Sequence, residues 1–214
     1  MTNINLLNKL MIEFLSQYTF SNRDYFSNNN SKRFDPKTII RNTINKKYGI
    51  CMDLNYTFSY FLTKYGFDNY LVKAYEQNRR GRFYDIYHLT VIVNINDMKY
   101  LADVGFGEFF TEPVLLKNNT QTDKIHVETP NVPQRDDKVY DLSINNELII
   151  RVLDKSIIDI GDIDNNYQKF YNAKPEDFPL CRNLYERIYD PQIKKYIVPK
   201  KIENLSQLCI NTNS

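Results

Sequence analysis

Three residues whose side chains together support nucleophilic catalysis occur in order along the chain: Cys51, His88 and Asp103. Cys51 follows a glycine-containing break, at the point where apolar residues begin to recur at helical spacing, so we expect it in the first turn of a helix. The free N–H groups and partial positive charge at a helix N-terminus favour the thiolate, which is the reactive form of cysteine. Cys51 is therefore the predicted nucleophile.

A histidine next to the cysteine would stabilise the thiolate further, and the chain contains two histidines. His126 alternates with apolar neighbours in a short strand-like segment, so we expect its side chain to point to solvent. His88 opens the apolar run 88–93 and is the better candidate. We therefore predict that His88 is the partner of Cys51.

Asp103 is the predicted third member, because its strand should pair with the strand of His88 through a turn at Asn96-Asp97. With the turn centred near residue 96, position 88 lies opposite about 104, so the two side chains should be near neighbours. The carboxylate would orient the imidazole and stabilise its charged form. Each of the three residue types alone is more often structural, and it is their joint spacing that favours one nucleophilic site.

The elements that would position these residues begin with helices. Apolar residues recur every three or four positions over 5–17, which predicts an amphipathic helix. Asp35 and Pro36 are typical of a helix start, as N-cap and first helical residue. A buried helix is predicted from about 51 to 65, and Gly66 stands where a C-terminal cap belongs.

The middle of the chain changes to a period of two, which is typical of strands. Strands are predicted at about 69–77, 86–95, 98–104, 113–117, 124–129, 138–144 and 147–154. Besides the turn at 96–97, the pair Asn145-Asn146 favours a tight hairpin. An antiparallel meander or small barrel is therefore expected.

Helical spacing returns after Ile163. A second helix is predicted to begin at Pro175 and to reach about Tyr189. The tail from Pro191 is expected to be irregular, with a frayed terminus.

The composition of the 214 residues, with 42% hydrophobic and 25% charged side chains, is that of an ordinary globular protein. A net charge of +2 gives no support to nucleic-acid binding. Three cysteines without CxxC spacing indicate neither a disulfide framework nor a zinc site, so we predict no metal and a reducing, cytoplasmic compartment. No signal peptide pattern and no long apolar stretch are present, so no membrane association is expected.

The segments around the three candidate residues resemble the arylamine N-acetyltransferase family. Gly49, Cys51 and Asn55 fit the family signature Arg-Gly-Gly-x-Cys-x-Glu-x-Asn, in which Lys47, Tyr48 and Asp53 replace the Arg, the first Gly and the Glu. The apolar run after the histidine is similar to the family's His strand, and residues 103–107 repeat its Asp-Val-Gly-Phe-Gly block. The resemblance covers about residues 10–187.

The resemblance implies an α+β fold, in which an N-terminal helical bundle packs on an antiparallel β-barrel. A reduced C-terminal α/β lid and a Cys-His-Asp core like that of cysteine proteases would complete it. The corresponding domains are 1–67, which carries the nucleophile, 68–160, which forms the barrel, and 161–214, which forms the lid.

The resemblance also implies a ping-pong acetyl transfer, with acetyl-coenzyme A as co-substrate and a small aromatic amine or hydrazine as acceptor. Gly105, Phe106 and Gly107 would line the cleft, and Tyr48 would be a further substrate- or coenzyme A-binding residue. Two alternatives stay open. One is a Cys-His-Asp amide or thioester hydrolase, or a transglutaminase-like enzyme, and the other is a non-catalytic protein that sequesters a small ligand.

Overall fold

The computed structural model describes residues 2–27, 33–78, 80–133 and 135–199. Its α-helices are α1 (Ile4–Gln17), α2 (Pro36–Lys46), α3 (Cys51–Lys64) and α4 (Ile160–Asn172), and 3₁₀ turns lie at Arg23–Phe26 and Pro179–Cys181. The strands are β1 (Thr19–Ser21), β2 (Tyr48–Gly49), β3 (Asp68–Tyr75), β4 (His88–Ile95), β5 (Met98–Leu101), β6 (Val114–Leu115), β7 (Thr120–Gln121), β8 (His126–Glu128), β9 (Lys138–Ile144), β10 (Glu147–Ser156), β11 (Glu186–Asp190) and β12 (Lys195–Ile197).

The strands form two sheets. Eight of them, in the order β6-β5-β4-β3-β10-β9-β8-β7, make an antiparallel sheet that curls into a nearly closed barrel. The order in the second sheet is β12-β11-β1-β2, in which β1 and β2 run parallel. The predicted α+β fold with helices packed on an antiparallel barrel is confirmed, whereas the domain boundaries at 67 and 160 stay a prediction.

Local signals account for the helix and hairpin boundaries. The Asp35 side chain accepts a hydrogen bond from the Thr38 N–H at 2.8 Å, with Pro36 as the first helical residue of α2. Asn96 and Asp97 both have positive φ, as the tight turn between β4 and β5 requires. These boundaries agree with the sequence predictions.

Strand β4 is the structural centre because it is buried on both faces. Val91, Val93 and Ile95 pack in the core beneath α1 and α3, whereas Ile92 belongs to the cluster inside the barrel. Alternate residues of a strand share a face, so His88 lies on the barrel side, at the end of the strand. The end of β4 therefore places the His88 side chain on the barrel side of the sheet.

The predicted helix from Pro175 to about Tyr189 is wrong. The chain instead makes a 3₁₀ turn and then forms β11, which pairs with β1 in the register Phe20–Arg187. The tail predicted to be irregular continues into β12, which pairs with β11, and residues 200–214 lie outside the described residues. A long-range pairing here outweighs the local apolar spacing.

Asn22 holds the segment before β11 in its extended path. Its side chain is fully buried, and its Nδ2 donates to the carbonyl oxygens of Leu180 and Asn183 at 2.5 and 2.8 Å. Its Oδ1 accepts the N–H of Tyr185 at 2.7 Å. One amide group therefore satisfies three main-chain groups that a helix would have paired internally.

No helix in the described ranges combines the length and the apolar character that crossing a bilayer needs.

Replacing Asn22 by alanine is expected to destabilise the protein by roughly 2–4 kcal/mol, because it leaves two carbonyl groups and one N–H group unpaired. Urea unfolding measures the change in free energy. Asn172→Ala, at the exposed end of α4, is the control and should change it by less than about 0.5 kcal/mol. Equal stability of the two variants would contradict the role of Asn22.

Candidate active site

The start of α3 places the predicted nucleophile. Cys51 is the first residue of this helix, and the preceding N–H, that of Ile50, donates to the Asp53 carboxylate at 3.0 Å. The other oxygen of Asp53 accepts the hydroxyl of Tyr167 at 3.0 Å. A side chain at Gly49 would lie 2.5 Å from the Asp53 Cβ, so this cap requires glycine there. These contacts hold in place the residues that precede and follow Cys51 at the start of α3.

His88 and Asp103 are in direct contact inside the protein. The His88 Nε2 lies 2.5 Å from the Asp103 Oδ2, and the two residues are only 5% and 1% exposed. Strand β5 ends at Leu101, opposite Ile92, three residues earlier than predicted. Continuing that register puts Asp103 opposite Thr90, so it meets His88 diagonally and not as a direct neighbour.

The imidazole of His88 contacts the carboxylate and lies near the thiol. Asp103 occupies Nε2, and Cys51 lines the same cavity as the ring. Burial alone would lower the pKa of His88, but the negative charges of Asp103 and Cys51 outweigh burial and hold it well above its usual value. The site therefore favours a protonated imidazole beside the Asp103 carboxylate.

Asn55 fixes the carboxylate. Its Nδ2 donates to the Leu89 carbonyl at 2.7 Å and to the Asp103 Oδ1 at 3.2 Å, and its Oδ1 accepts the Val104 N–H at 2.9 Å. Asn55 lies one helical turn after Cys51, on the same face of α3. It was not among the predicted site residues, although its place in the family signature was a signal that could have identified it.

The loop after β5 packs directly against α3. The Gly105 N–H donates to the Asp103 Oδ1 at 2.9 Å. A Cβ at Gly105 would lie 2.6 Å from the Asn55 Nδ2 and 2.8 Å from the Cys51 Cα. Burial by itself would raise the pKa of Asp103, but the charge of His88 and the hydrogen bonds to His88 and Asn55 lower it.

Cys51 and His88 lie at the wall of a cavity of about 290 Å³. Most of the cavity surface is aromatic or aliphatic, with Phe20, Ile86, Phe106, Phe170, Phe178 and Tyr185 among the lining residues. Two carboxyl groups, those of Glu76 and Glu108, also line it. The site is thus an apolar pocket with a reactive group and a few polar groups, as is common for small-molecule sites.

The structure brings two of the four predicted binding residues to this cavity. Gly105 and Phe106 line it, and the Phe106 ring lies edge-on to the His88 ring at 5.3 Å between centroids. Gly107 is not among the lining residues. It has φ of +82°, and a Cβ there would be 3.0 Å from the Phe20 ring, so it supports the wall from behind.

Tyr48 is not among the residues that line this cavity, and its predicted role in binding stays a prediction. Its hydroxyl donates to the Asp24 Oδ1 at 2.8 Å, and its ring lies beside the cationic groups of Arg23 and Lys46. Burial and the Asp24 contact raise the pKa of Tyr48 to about 12. Strand β2, which carries Tyr48, pairs in parallel with β1 before the chain enters α3.

Glu76 and Glu108 line the cavity but were not among the site residues predicted from the sequence. Glu108 follows the glycine block directly, and this proximity was a signal. Glu76 follows the end of β3, and no pattern in the sequence distinguishes it from an exposed loop residue. Within the described ranges, no cluster of three or more His, Cys, Asp or Glu residues could hold a metal ion.

Comparison with known proteins agrees with this geometry. A family model described as N-acetyltransferase matches residues 3–152. An uncharacterized acetyltransferase of Acanthamoeba polyphaga mimivirus is 53% identical over 204 residues, which are 95% of this chain and 100% of that protein.

Solved structures share the fold. Arylamine N-acetyltransferase C from Bacillus anthracis superposes with a TM-score of 0.72 at 19% identity, covering 89% of this chain and 77% of that one. An arylamine N-acetyltransferase from Bacillus cereus, described as having a unique Cys-His-Glu catalytic triad, gives 0.73 at 17% identity, covering 89% and 76%. In the present chain the carboxylate next to the histidine is an aspartate.

Gly105→Ala is expected to slow the alkylation of Cys51 by iodoacetamide by about tenfold or more, because the added methyl group pushes the Asp103 loop off α3. Peptide mass spectrometry at neutral pH measures the rate at Cys51. Gly161→Ala is the matched control, since a Cβ there meets only the flexible Asp159 side chain. Equal rates in both variants would show that the close approach does not position the thiol.

The lowered pKa of Asp103 predicts how stability depends on pH. A carboxyl group with a lowered folded-state pKa contributes stability above its usual pKa of about 3.9, and this is lost as the pH falls through the folded-state pKa. Asp103→Asn keeps the shape and removes the charge. The difference in unfolding free energy between wild type and variant should therefore be largest near neutral pH and shrink below about pH 4.

Urea unfolding across the pH range tests this dependence. Glu128→Gln, at an exposed position of β8, is the control and should differ from the wild type by less than about 0.5 kcal/mol throughout. A constant difference between the Asp103 variant and the wild type down to acidic pH would contradict the prediction.

Proposed function

The chain belongs to the arylamine N-acetyltransferase family, and we propose that it transfers an acetyl group from acetyl-coenzyme A, through a thioester on Cys51, to an aromatic amine or hydrazine. One observation above all supports this proposal. Cys51 at the start of α3 and His88, which is paired with Asp103, lie together at the wall of one apolar cavity.

In the first half-reaction, the Cys51 thiolate attacks the carbonyl carbon of the acetyl thioester and forms a new C–S bond. The carbonyl electrons move onto oxygen, which main-chain N–H groups at the start of α3 would stabilise. The intermediate collapses by breaking the bond to the coenzyme A sulfur, which takes a proton from the His88 imidazolium. The products are acetyl-Cys51, free coenzyme A thiol and a neutral imidazole.

In the second half-reaction, the lone pair of the acceptor nitrogen attacks the carbonyl carbon of acetyl-Cys51. His88 takes the proton that the nitrogen loses, and Cys51 leaves as the thiolate. The amide product departs, and the imidazolium–thiolate pair is restored. Asp103 keeps the ring oriented and balances its charge in both steps.

The cavity supports an aromatic acceptor that binds after coenzyme A has left. At about 290 Å³ it lies at the lower end of the range for small-molecule pockets, roughly 300–1,000 Å³. An apolar cavity of about 150 Å³ is already large enough for benzene. A single ring can therefore pack against Phe106 and Phe170, with edge-to-face contacts that aromatic pairs favour.

Incubation with acetyl-coenzyme A should add about 42 Da to the intact protein, because an acyl-enzyme accumulates when no acceptor is present. The adduct should be lost in Cys51→Ala and retained in Cys181→Ala, which removes a buried free cysteine outside the catalytic pair. Adding para-ethylaniline should remove the adduct and give the acetylated amine. Intact-mass spectrometry and product chromatography measure the two steps.

Two results would overturn the proposal. One is no adduct on the wild-type protein. The other is an adduct that decays equally fast with and without the amine, since water would then be the acceptor and the enzyme would be a thioester hydrolase.

A further inference from the structure

Two acidic residues face the cavity from different segments. Glu76 follows the end of β3, and Glu108 follows the glycine block after β5. The surrounding cavity surface is largely aromatic and aliphatic. A carboxylate in such surroundings is costly unless a hydrogen-bond donor or a cation compensates for its lost hydration.

In the described part of the chain no hydrogen bond to the Glu76 carboxyl group is present, and the positive charge that opposes the cost of its burial comes from His88. Glu76 is half-buried and lines the cavity. Other carboxylates of low exposure do have partners. Asp154, for example, accepts two hydrogen bonds from the Lys99 ammonium at 2.7 and 3.0 Å, and Asp141 binds the Arg151 guanidinium at 2.6 and 2.7 Å.

The charged groups around Glu76 indicate that the cavity could accept a cation. Burial raises the pKa of Glu76, the negative charges of Asp103 and Glu108 raise it further, and His88 opposes them. Burial also raises the pKa of Glu108, which Arg187 partly offsets. The Arg187 guanidinium itself donates to the Glu186 carbonyl and stacks on the Tyr185 ring at 4.2 Å. A cation inside the cavity would stabilise both carboxylates.

We propose that Glu76, assisted by Glu108, binds a cationic nitrogen of the acceptor, so that the preferred substrates are aromatic amines or hydrazines that carry a second, ammonium-bearing group. This inference rests on the proposed function, because the first nitrogen of the same molecule is the one acetylated at Cys51. The two nitrogens have different tasks. The attacking nitrogen needs a free lone pair, which an arylamine has at neutral pH, whereas an alkylamine is protonated and suited to a carboxylate.

The order of the reaction agrees with this assignment. In the free enzyme the His88 imidazolium supplies a positive charge next to Glu76. Once coenzyme A has left with the proton of His88, the imidazole is neutral and that charge is gone. Acetylation removes the imidazolium and the thiolate charges together, so the acetyl-enzyme, which must bind the acceptor, keeps Glu76 and Glu108 without the His88 charge beside Glu76.

Two acceptors of nearly equal shape test the inference: para-aminomethylaniline, which carries an ammonium group, and para-ethylaniline, which is neutral. The wild-type enzyme should acetylate the first with a kcat/KM about tenfold or more above the second, because a hydrogen bond between opposite charges is worth at least that factor. The acetyl group should be on the ring nitrogen. Steady-state kinetics and product mass spectrometry measure both.

In Glu76→Gln the ratio of the two kcat/KM values should fall by about tenfold or more, and in Glu108→Gln by a smaller factor. Glu128→Gln, on the outside of the barrel strand β8, is the matched control and should keep the wild-type ratio. Each variant is also incubated with acetyl-coenzyme A and examined by intact-mass spectrometry, which reports the first half-reaction alone.

The outcomes are distinguishable. If the wild-type protein forms no acetyl adduct, the proposed function fails and this inference fails with it. If the adduct forms but wild type shows no preference for the cationic acceptor, or acetylates its alkyl nitrogen, only this inference is overturned. A ratio unchanged in both Glu76→Gln and Glu108→Gln overturns it as well. The wild-type comparison is decisive even if a variant does not fold.

Discussion

Charges that are excluded from water must be balanced and hydrogen-bonded within the protein, and the buried pair of His88 and Asp103 imposes this requirement on its surroundings. One oxygen of Asp103 contacts the imidazole, and the other accepts from the Asn55 amide and the Gly105 N–H. Asn55 is itself held by the carbonyl of Leu89, the residue next to His88. The pair is thus attached at once to α3, to β4 and to the loop after β5, and moving any one of them would break contacts that water cannot replace.

The position of the Cys51 thiol follows from the same packing. Because Cys51 and Asn55 lie on one face of α3, the amide that fixes the carboxylate also fixes the distance from the thiol to the imidazole. The main chain comes close to α3 at two glycines. Gly49 lies against the Asp53 side chain, and Gly105 lies against Cys51 and Asn55. The glycines around the cysteine and after the aspartate are therefore parts of one arrangement, and their spacing in the sequence reflects contacts in space.

Features that depend on sequence neighbours could be predicted from the sequence, and features that depend on distant partners could not. The turn at 96–97 was predicted correctly because Asn and Asp readily adopt the positive φ that a tight hairpin turn requires. The predicted helix over 175–189 was wrong because β1 recruits that segment as a strand. Tyr48 was expected at the cavity, but its hydroxyl is bonded to Asp24, a partner that no local pattern indicates. Glu76 lies at the cavity through the course of the chain after β3, and no local pattern indicates it.

The pairing of β1 with β11 also affects the order in which parts of the chain can fold. Residues 21 and 186 are 165 positions apart, so this part of the sheet has high contact order and closes late. On the ribosome, the nascent chain displays Cys51, His88 and Asp103 before it has received the residues from Phe178 onward that close the cavity. The three residues of the proposed catalytic site are therefore synthesised before the segment that completes the wall of their cavity.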